Sequence, residues 1–220
     1  VIEYKKLPSL SRLFRDITVT EKLDGTQSTI IFEPYDGEIP AEGGEYLLDG
    51  DGNVYEVGAQ SKNRLLKPGK QTDNYGFADW VLRNRYNLFR ILGPGRHSGE
   101  FWGYKIARNY DVSYRAFSLF NPAKLGDNDW WVGDVLVNSV PVLYEGPFDQ
   151  AEIEYTAMKL RRDGSKAVTG FMKPEGVVVY HHHSGNSFKF TIDNNDKHKW
   201  QEIDTIMSDL EASDPSDLPF

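Results

Sequence analysis

The spacing of apolar residues changes character several times along the chain, and each change marks an element. Ile17-Thr-Val-Thr-Glu-Lys-Leu and Ser28-Thr-Ile-Ile-Phe are β-branched runs separated by Asp24-Gly25, which predicts two strands meeting at a turn. Residues 45–48 and 53–58, joined through Asp49-Gly50-Asp51-Gly52, predict a hairpin. After Asp73-Asn74 the period lengthens. Phe77, Trp80, Val81, Leu88, Ile91 and Leu92 fall near one face of a 3.6-residue repeat, predicting a helix that Gly93-Pro94-Gly95 ends. Aromatic and β-branched residues then predict strands at 97–102, 114–120, 130–137, 176–181 and 187–192. Asp149 with Glu152 three positions on resembles a capping box and opens a second helix, which Gly164 closes. A third helix is expected over about 197–211, with Trp200, Ile203, Ile206, Met207 and Leu210 on one stripe.

Many strands and few helices, out of strict alternation, imply an α+β fold of mainly antiparallel sheets with flanking helices and a cleft between them. Residues 1–212 read as one domain and residues 213–220 as a frayed acidic tail.

Composition narrows the function classes. At 220 residues, 39% hydrophobic and 26% charged, the chain can build a core without staples. With no cysteine, it has no disulfide, thiolate zinc site or cysteine nucleophile. No stretch approaches the ~20 apolar residues of a spanning helix, and Val1-Ile-Glu-Tyr-Lys-Lys is no secretory leader. A cytoplasmic enzyme without a membrane partner, cellular or phage-encoded, is the expectation.

The net charge of −8 conceals an uneven distribution. Residues 60–110 carry ten basic and three acidic side chains, a net +7, so the remainder is −15. One basic surface between acidic flanks would suit a protein that docks phosphates on one face, although a solvated helix face explains the same counts. His181-His182-His183 does not suggest a metal site, since consecutive strand residues alternate faces. Gly93-Pro94-Gly95 lacks the Gly-Lys-Ser/Thr ending of a phosphate-binding P-loop.

The segment Glu21-Lys22-Leu-Asp24-Gly25 carries candidate chemistry. On a strand Lys22 and Asp24 share a face, just before a glycine that lets a ligand approach the backbone. Alone, Lys-x-Asp-Gly describes many ordinary turns. Further segments follow it in order: Ser61-Lys-Asn-Arg64, Ser98-Gly-Glu100-Phe-Trp-Gly, Tyr114-Arg-Ala-Phe117-Ser, Lys173-Pro-Glu175-Gly-Val-Val-Val and Ser187-Phe-Lys189-Phe. Together these six make the chain resemble the covalent nucleotidyltransferases, the superfamily of RNA ligases, DNA ligases and mRNA-capping enzymes, from about residue 17 to residue 192.

The resemblance implies a nucleotidyltransferase core, ATP-grasp-like, with a central ATP cleft. It makes Lys22 the nucleophile that becomes adenylylated. It also has Arg64 and Lys189 facing the reacting phosphates, Glu100 on a ribose hydroxyl and Phe117 stacked on adenine. Glu175 would lie near Mg²⁺ or Mn²⁺, and Glu21 would help read the adenine edge through side chain or backbone. The residue types suit such chemistry. A lysine attacks phosphorus as the free amine, and fixed cations stabilise charge building on phosphoryl oxygens. Plainer readings stand beside these: Glu100 and Glu175 as surface carboxylates, Phe117 as a core aromatic, Arg64 as an exposed loop residue. In two places the chain departs from the family pattern. Lys189 stands alone where two lysines are usual, and Ser118 follows Phe117 where many relatives have Asp.

Gln27, an amide two residues after the motif glycine, favours RNA ligases, which commonly have Asn there, over DNA ligases and capping enzymes, which commonly have Arg. Residues 71–80 also resemble phage-type and editing-type RNA ligases. Beyond Ile192 about one helix and a tail remain, too little for the roughly 100-residue OB domain of DNA ligases. The expectation is therefore an adenylyltransferase core that seals 5′-phosphate and 3′-hydroxyl RNA ends, with a nicked duplex as one candidate substrate. A minimal DNA ligase, a GTP-dependent capping enzyme and a non-catalytic nucleic-acid-binding relative are the alternatives.

Overall fold

The computed structural model describes residues 7–38 and 44–192. The helix expected near 197–211 and the acidic tail lie outside the described residues. The strands are β1 (Asp16–Lys22), β2 (Thr26–Pro34), β3 (Tyr46–Leu48), β4 (Val54–Ser61), β5 (Leu65–Leu66), β6 (Gly95–Gly103), β7 (Arg115–Leu119), β8 (Trp130–Val132), β9 (Val135–Ser139), β10 (Val142–Pro147), β11 (Gly176–His181) and β12 (Asn186–Thr191). The helices are α1 (Phe77–Arg83), α2 (Arg85–Leu92) and α3 (Gln150–Asp163).

These strands form two sheets. One has the order β10-β1-β11-β12; the other runs β3-β4-β2-β6-β7-β9-β8, with β5 also paired to β4. All pairings are antiparallel except β7 with β9. The expected α+β architecture of mainly antiparallel sheets is thus what the chain adopts.

Three local expectations change. β1 and β2 do not form a hairpin: β1 pairs with β10 and β11, and β2 with β4 and β6. Asp24-Gly25 is therefore the crossover from one sheet to the other. A Cβ on Gly25 would meet the Phe101 carbonyl oxygen and, at 2.7 Å, Trp102 Cβ, so the crossing requires glycine. The helix expected to run unbroken to residue 92 is interrupted at Asn84 (φ −110°, ψ 13°), whose side chain donates to the Trp80 carbonyl at 2.9 Å. The run 130–137 divides into β8 and β9 at Gly133, φ +63°.

Alternation sorts the larger sheet's side chains onto two faces. Ile30, Phe32, Phe101, Phe117 and Val137 join Phe77, Trp80, Val81, Leu88 and Leu92 of α1 and α2 in the main core. The smaller sheet packs Ile17, Val19, Val177 and Val179 under Ile153, Ala157 and Leu160 of α3. Between the sheets a third cluster joins Leu23 to Trp102, Tyr110, Ala116, Leu136 and Phe171. This last cluster anchors the crossover on its apolar side.

Candidate active site

Lys22 is the last residue of β1, paired across the sheet with Gly176 at the start of β11. Its neighbour in space is therefore Glu175. Lys22 Nζ lies 2.5 Å from Glu175 Oε1, with the two side chains only 22% and 19% exposed. The other carboxylate oxygen, Glu175 Oε2, is buried and has no partner. The Glu175 carbonyl accepts from Ile192 N–H at 2.9 Å, which fixes the entry into β11 against the end of β12.

Glu100 approaches from the other sheet. It lies on β6 between Gln27 of β2 and Ser118 of β7, and its Oε1 accepts from Gly25 N–H at 3.0 Å. Burial pushes the Glu100 carboxyl up to about 7, against the pull of the Gly25 N–H and the Lys22 charge, while Glu175 and Asp24 push it further. Ser118, fully buried on the same face, accepts from Trp102 Nε1 at 2.8 Å and donates to Asn138 Oδ1 at 2.6 Å. A neutral hydroxyl there needs no cation, which an acid at that depth would.

Two residues that motif reasoning left out hold the crossover. Asp24 N–H donates to the Tyr110 hydroxyl at 2.7 Å, and Asp24 Oδ2 accepts from Arg108 Nε at 3.0 Å. Arg108 also donates from Nη1 to the Lys173 carbonyl at 2.8 Å, two residues before Glu175. In the sequence Arg108 was visible only as one charge among ten. The loop between β6 and β7 has no periodicity to announce what it touches.

The remaining predicted residues divide. Lys189 of β12 faces Val178 of β11, which faces Thr20 of β1, so it shares a sheet face with Lys22. It is exposed and carries no hydrogen bond or ion pair among the described residues. Arg64 sits at the exposed turn between β4 and β5, its Nη2 donating to the Thr72 carbonyl at 3.2 Å, with no contact to Lys22, Glu100 or Glu175.

Two expectations need correction. Phe117 is 0% exposed, with its ring 5.3 Å from Phe77 and 6.2 Å from Trp80. It adjoins Ser118 on the strand, so alternation turns it away from the Glu100 face and into the core, where it cannot stack on a bound base. The Glu21 side chain likewise points away from the Lys22 face. It is 1% exposed, and its Oε2 accepts Lys166 N–H at 2.7 Å and Ala167 N–H at 3.0 Å. Burial raises its carboxyl above the usual range, while Ser165 and these amides oppose the rise. Glu21 thus secures the loop after α3 with its Oε1 buried and unpartnered, and of the contacts expected with the adenine edge the one through its backbone stays open.

The assembled group is a half-buried lysine amine paired with the Glu175 carboxylate, with the Glu100 carboxyl held nearby on the glycine of the crossover. Among the described residues no three His, Asp or Glu side chains converge as a metal cage. The unpartnered Glu175 Oε2 fits a divalent cation that is held chiefly by phosphate and water, as Mg²⁺ commonly is. The three histidines of 181–183 bond separately, to Leu13 and Ser184, to Thr18, and to Arg12.

A protein-family model described as RNA ligase matches residues 15–191, spanning every element from β1 to β12. The chain belongs to the RNA ligase family. Among solved structures, a Naegleria gruberi RNA ligase variant with ATP and manganese matches at 19% identity and TM-score 0.52, over 87% of this chain and 53% of that one. A second variant, with AMP and manganese, matches at 19% and TM-score 0.52, over 88% and 53%. At such identities the likeness is one of fold, and this chain spans about half the length of those structures. No curated protein matches significantly. No helix among the described residues is long and apolar enough to cross a membrane.

Proposed function

We propose that the protein is an ATP-dependent RNA ligase working through a lysyl-AMP on Lys22. The observation that carries this reading is the meeting of Lys22 with Glu175 at 2.5 Å, beside Glu100 and at the crossover between the sheets. Attack requires the free amine, so the ion pair must open and the Lys22 proton pass to water. Nζ then forms a bond to the α-phosphorus of ATP as the bond to pyrophosphate breaks. The AMP next passes to the 5′-phosphate of an RNA end, freeing Lys22. A 3′-hydroxyl finally attacks that phosphate, forming the phosphodiester and expelling AMP.

In this scheme Glu100 accepts a hydrogen bond from a ribose hydroxyl, Lys189 meets phosphate from the β12 side, and Arg64 reaches the phosphates after leaving Thr72. Mg²⁺ or Mn²⁺ beside Glu175 would offset the phosphate charge. Gln27, directly opposite Glu100, supports RNA over DNA through its amide.

Incubation with ATP and magnesium should add one AMP to the intact mass of the protein, and Lys22→Ala should abolish the adduct. An unchanged mass, or a labelled Lys22→Ala, sinks the reading. GTP supplied in parallel separates a capping enzyme. A panel of 5′-phosphorylated single strands and nicked duplexes separates RNA from DNA ends, and binding of RNA without adduct would mark a non-catalytic relative.

A further inference from the structure

Among the described residues, every non-glycine residue with positive φ lies in the loop between β6 and β7: Lys105 (φ 58°), Ala107 (φ 41°) and Asp111 (φ 57°). In that region the Cβ of a non-glycine residue crowds the following carbonyl oxygen, so each is strained. What the loop delivers is Arg108, between two of these positions, and Tyr110, beside the third. The Arg108–Asp24 pair is 26% and 36% exposed, and ion pairs of that exposure contribute little to stability. Burial of Ile106 and Tyr110 offsets the strain, but the ion pair by itself does not account for where the loop puts Arg108.

Its placement does. Arg108 bonds through one nitrogen to Asp24, two residues after Lys22, and through another to the carbonyl of Lys173, two residues before Glu175. Tyr110, fully buried between Trp102 and Phe171, fixes the Asp24 amide from below. The backbone bearing the lysine and the backbone bearing the carboxylate are thereby tied by one planar guanidinium. We propose that Arg108 is a positioning residue, which holds the Asp24 crossover and the Lys173-Pro174-Glu175 segment in register so that Lys22 and Glu175 meet. The proposal rests on the ligase reading for its kinetic consequence but not for its structural one. A lysine, with a compact ammonium in place of the fork, cannot reproduce both bonds in that geometry.

The test uses the full chain as wild type, Arg108→Ala, Arg108→Lys and Arg108→Gln. It follows the rate of lysyl-AMP formation against ATP concentration, with and without added guanidinium ion, and hydrogen exchange at Asp24 and Gly25. Arg108→Ala should lower the maximal rate about 10- to 100-fold, as misplacement of a reacting group does. Half-saturating ATP should stay within about two-fold. Guanidinium should restore part of the rate, Arg108→Lys should not, and the two amides should exchange faster. Should Arg108→Ala fail to fold, Arg108→Gln is read by the same measures. A wild-type rate in the alanine variant overturns the proposal. So does a rise in half-saturating ATP at unchanged maximal rate, which would make Arg108 an ATP contact. If the wild type forms no adduct, the ligase reading falls, and amide exchange alone decides the clamp: unchanged exchange overturns it.

Discussion

Glu100 illustrates how a single side chain can oppose folding in a site that has use for it. Its carboxyl titrates at about 7 in the folded chain against an ordinary 4.5, because burial penalises the charged form. With the folded value raised, the contribution to stability is fully present below pH 4.5 and is lost as pH rises through 7. Glu100→Gln, which still offers an oxygen to Gly25 N–H, should therefore stabilise the protein by about 2–3 kcal/mol at pH 8 and by almost nothing at pH 4. Urea melts of both proteins at the two pH values measure this. Equal effects at both would show that the carboxylate is not held up by burial. At Gly25 the expectation is opposite in sign. Gly25→Ala drives a Cβ into the Phe101 carbonyl and Trp102, and should cost about 1–3 kcal/mol, visible as a lowered melting temperature.

At the scale of elements, β7 separates two readings of one aromatic. Residues 116–119 are all buried, so burial alone does not say which face each serves; the register opposite β6 does. Phe117 pairs with Phe101 over the helices, and Ser118 pairs with Glu100 over the site. Phe117→Ala should cost about 3–5 kcal/mol as a core truncation, and in Phe117→Leu half-saturating ATP for adenylylation should stay unchanged. A selective rise in that ATP requirement would return the ring to the nucleotide. Most elements were legible from period and caps, including α3 between Asp149 and Gly164. The β1–β2 crossover was not, because Asp-Gly between two β-branched runs is equally the signature of a hairpin. The break at Asn84 was not either, since apolar spacing continues through it.

At the scale of the whole molecule, the net +7 over residues 60–110 does not form one surface. Arg83 and Arg90 lie on helices behind the larger sheet, away from Glu100, and Arg83 pairs with Asp79. Arg96 pairs with Glu33, Arg85 caps carbonyls of Tyr46 and Leu82, and Arg108 is held by Asp24. That leaves Lys105, over the Tyr104 ring, and the exposed cations of residues 62–70, which we propose for a phosphate backbone. Replacing Lys62, Lys67 and Lys70 with Gln should weaken binding of 5′-phosphorylated RNA and flatten its salt dependence by about 0.7 per lost single-strand contact. Arg83→Gln with Arg90→Gln should change neither. Binding titrations over a salt series distinguish the two sets.

The sequence by itself determined the residue types, their order and, through strand alternation, which neighbours share a face; the resemblance of its six ordered motifs to the nucleotidyltransferases made Lys22, Glu100, Glu175 and Lys189 candidates. Only the tertiary structure decided which strands pair. Pairing depends on contacts between residues far apart in the chain, which no local period encodes. It set Lys22 against Glu175 across 153 positions, turned Phe117 and Glu21 away from the site, and brought Arg108 from an unpatterned loop to the crossover.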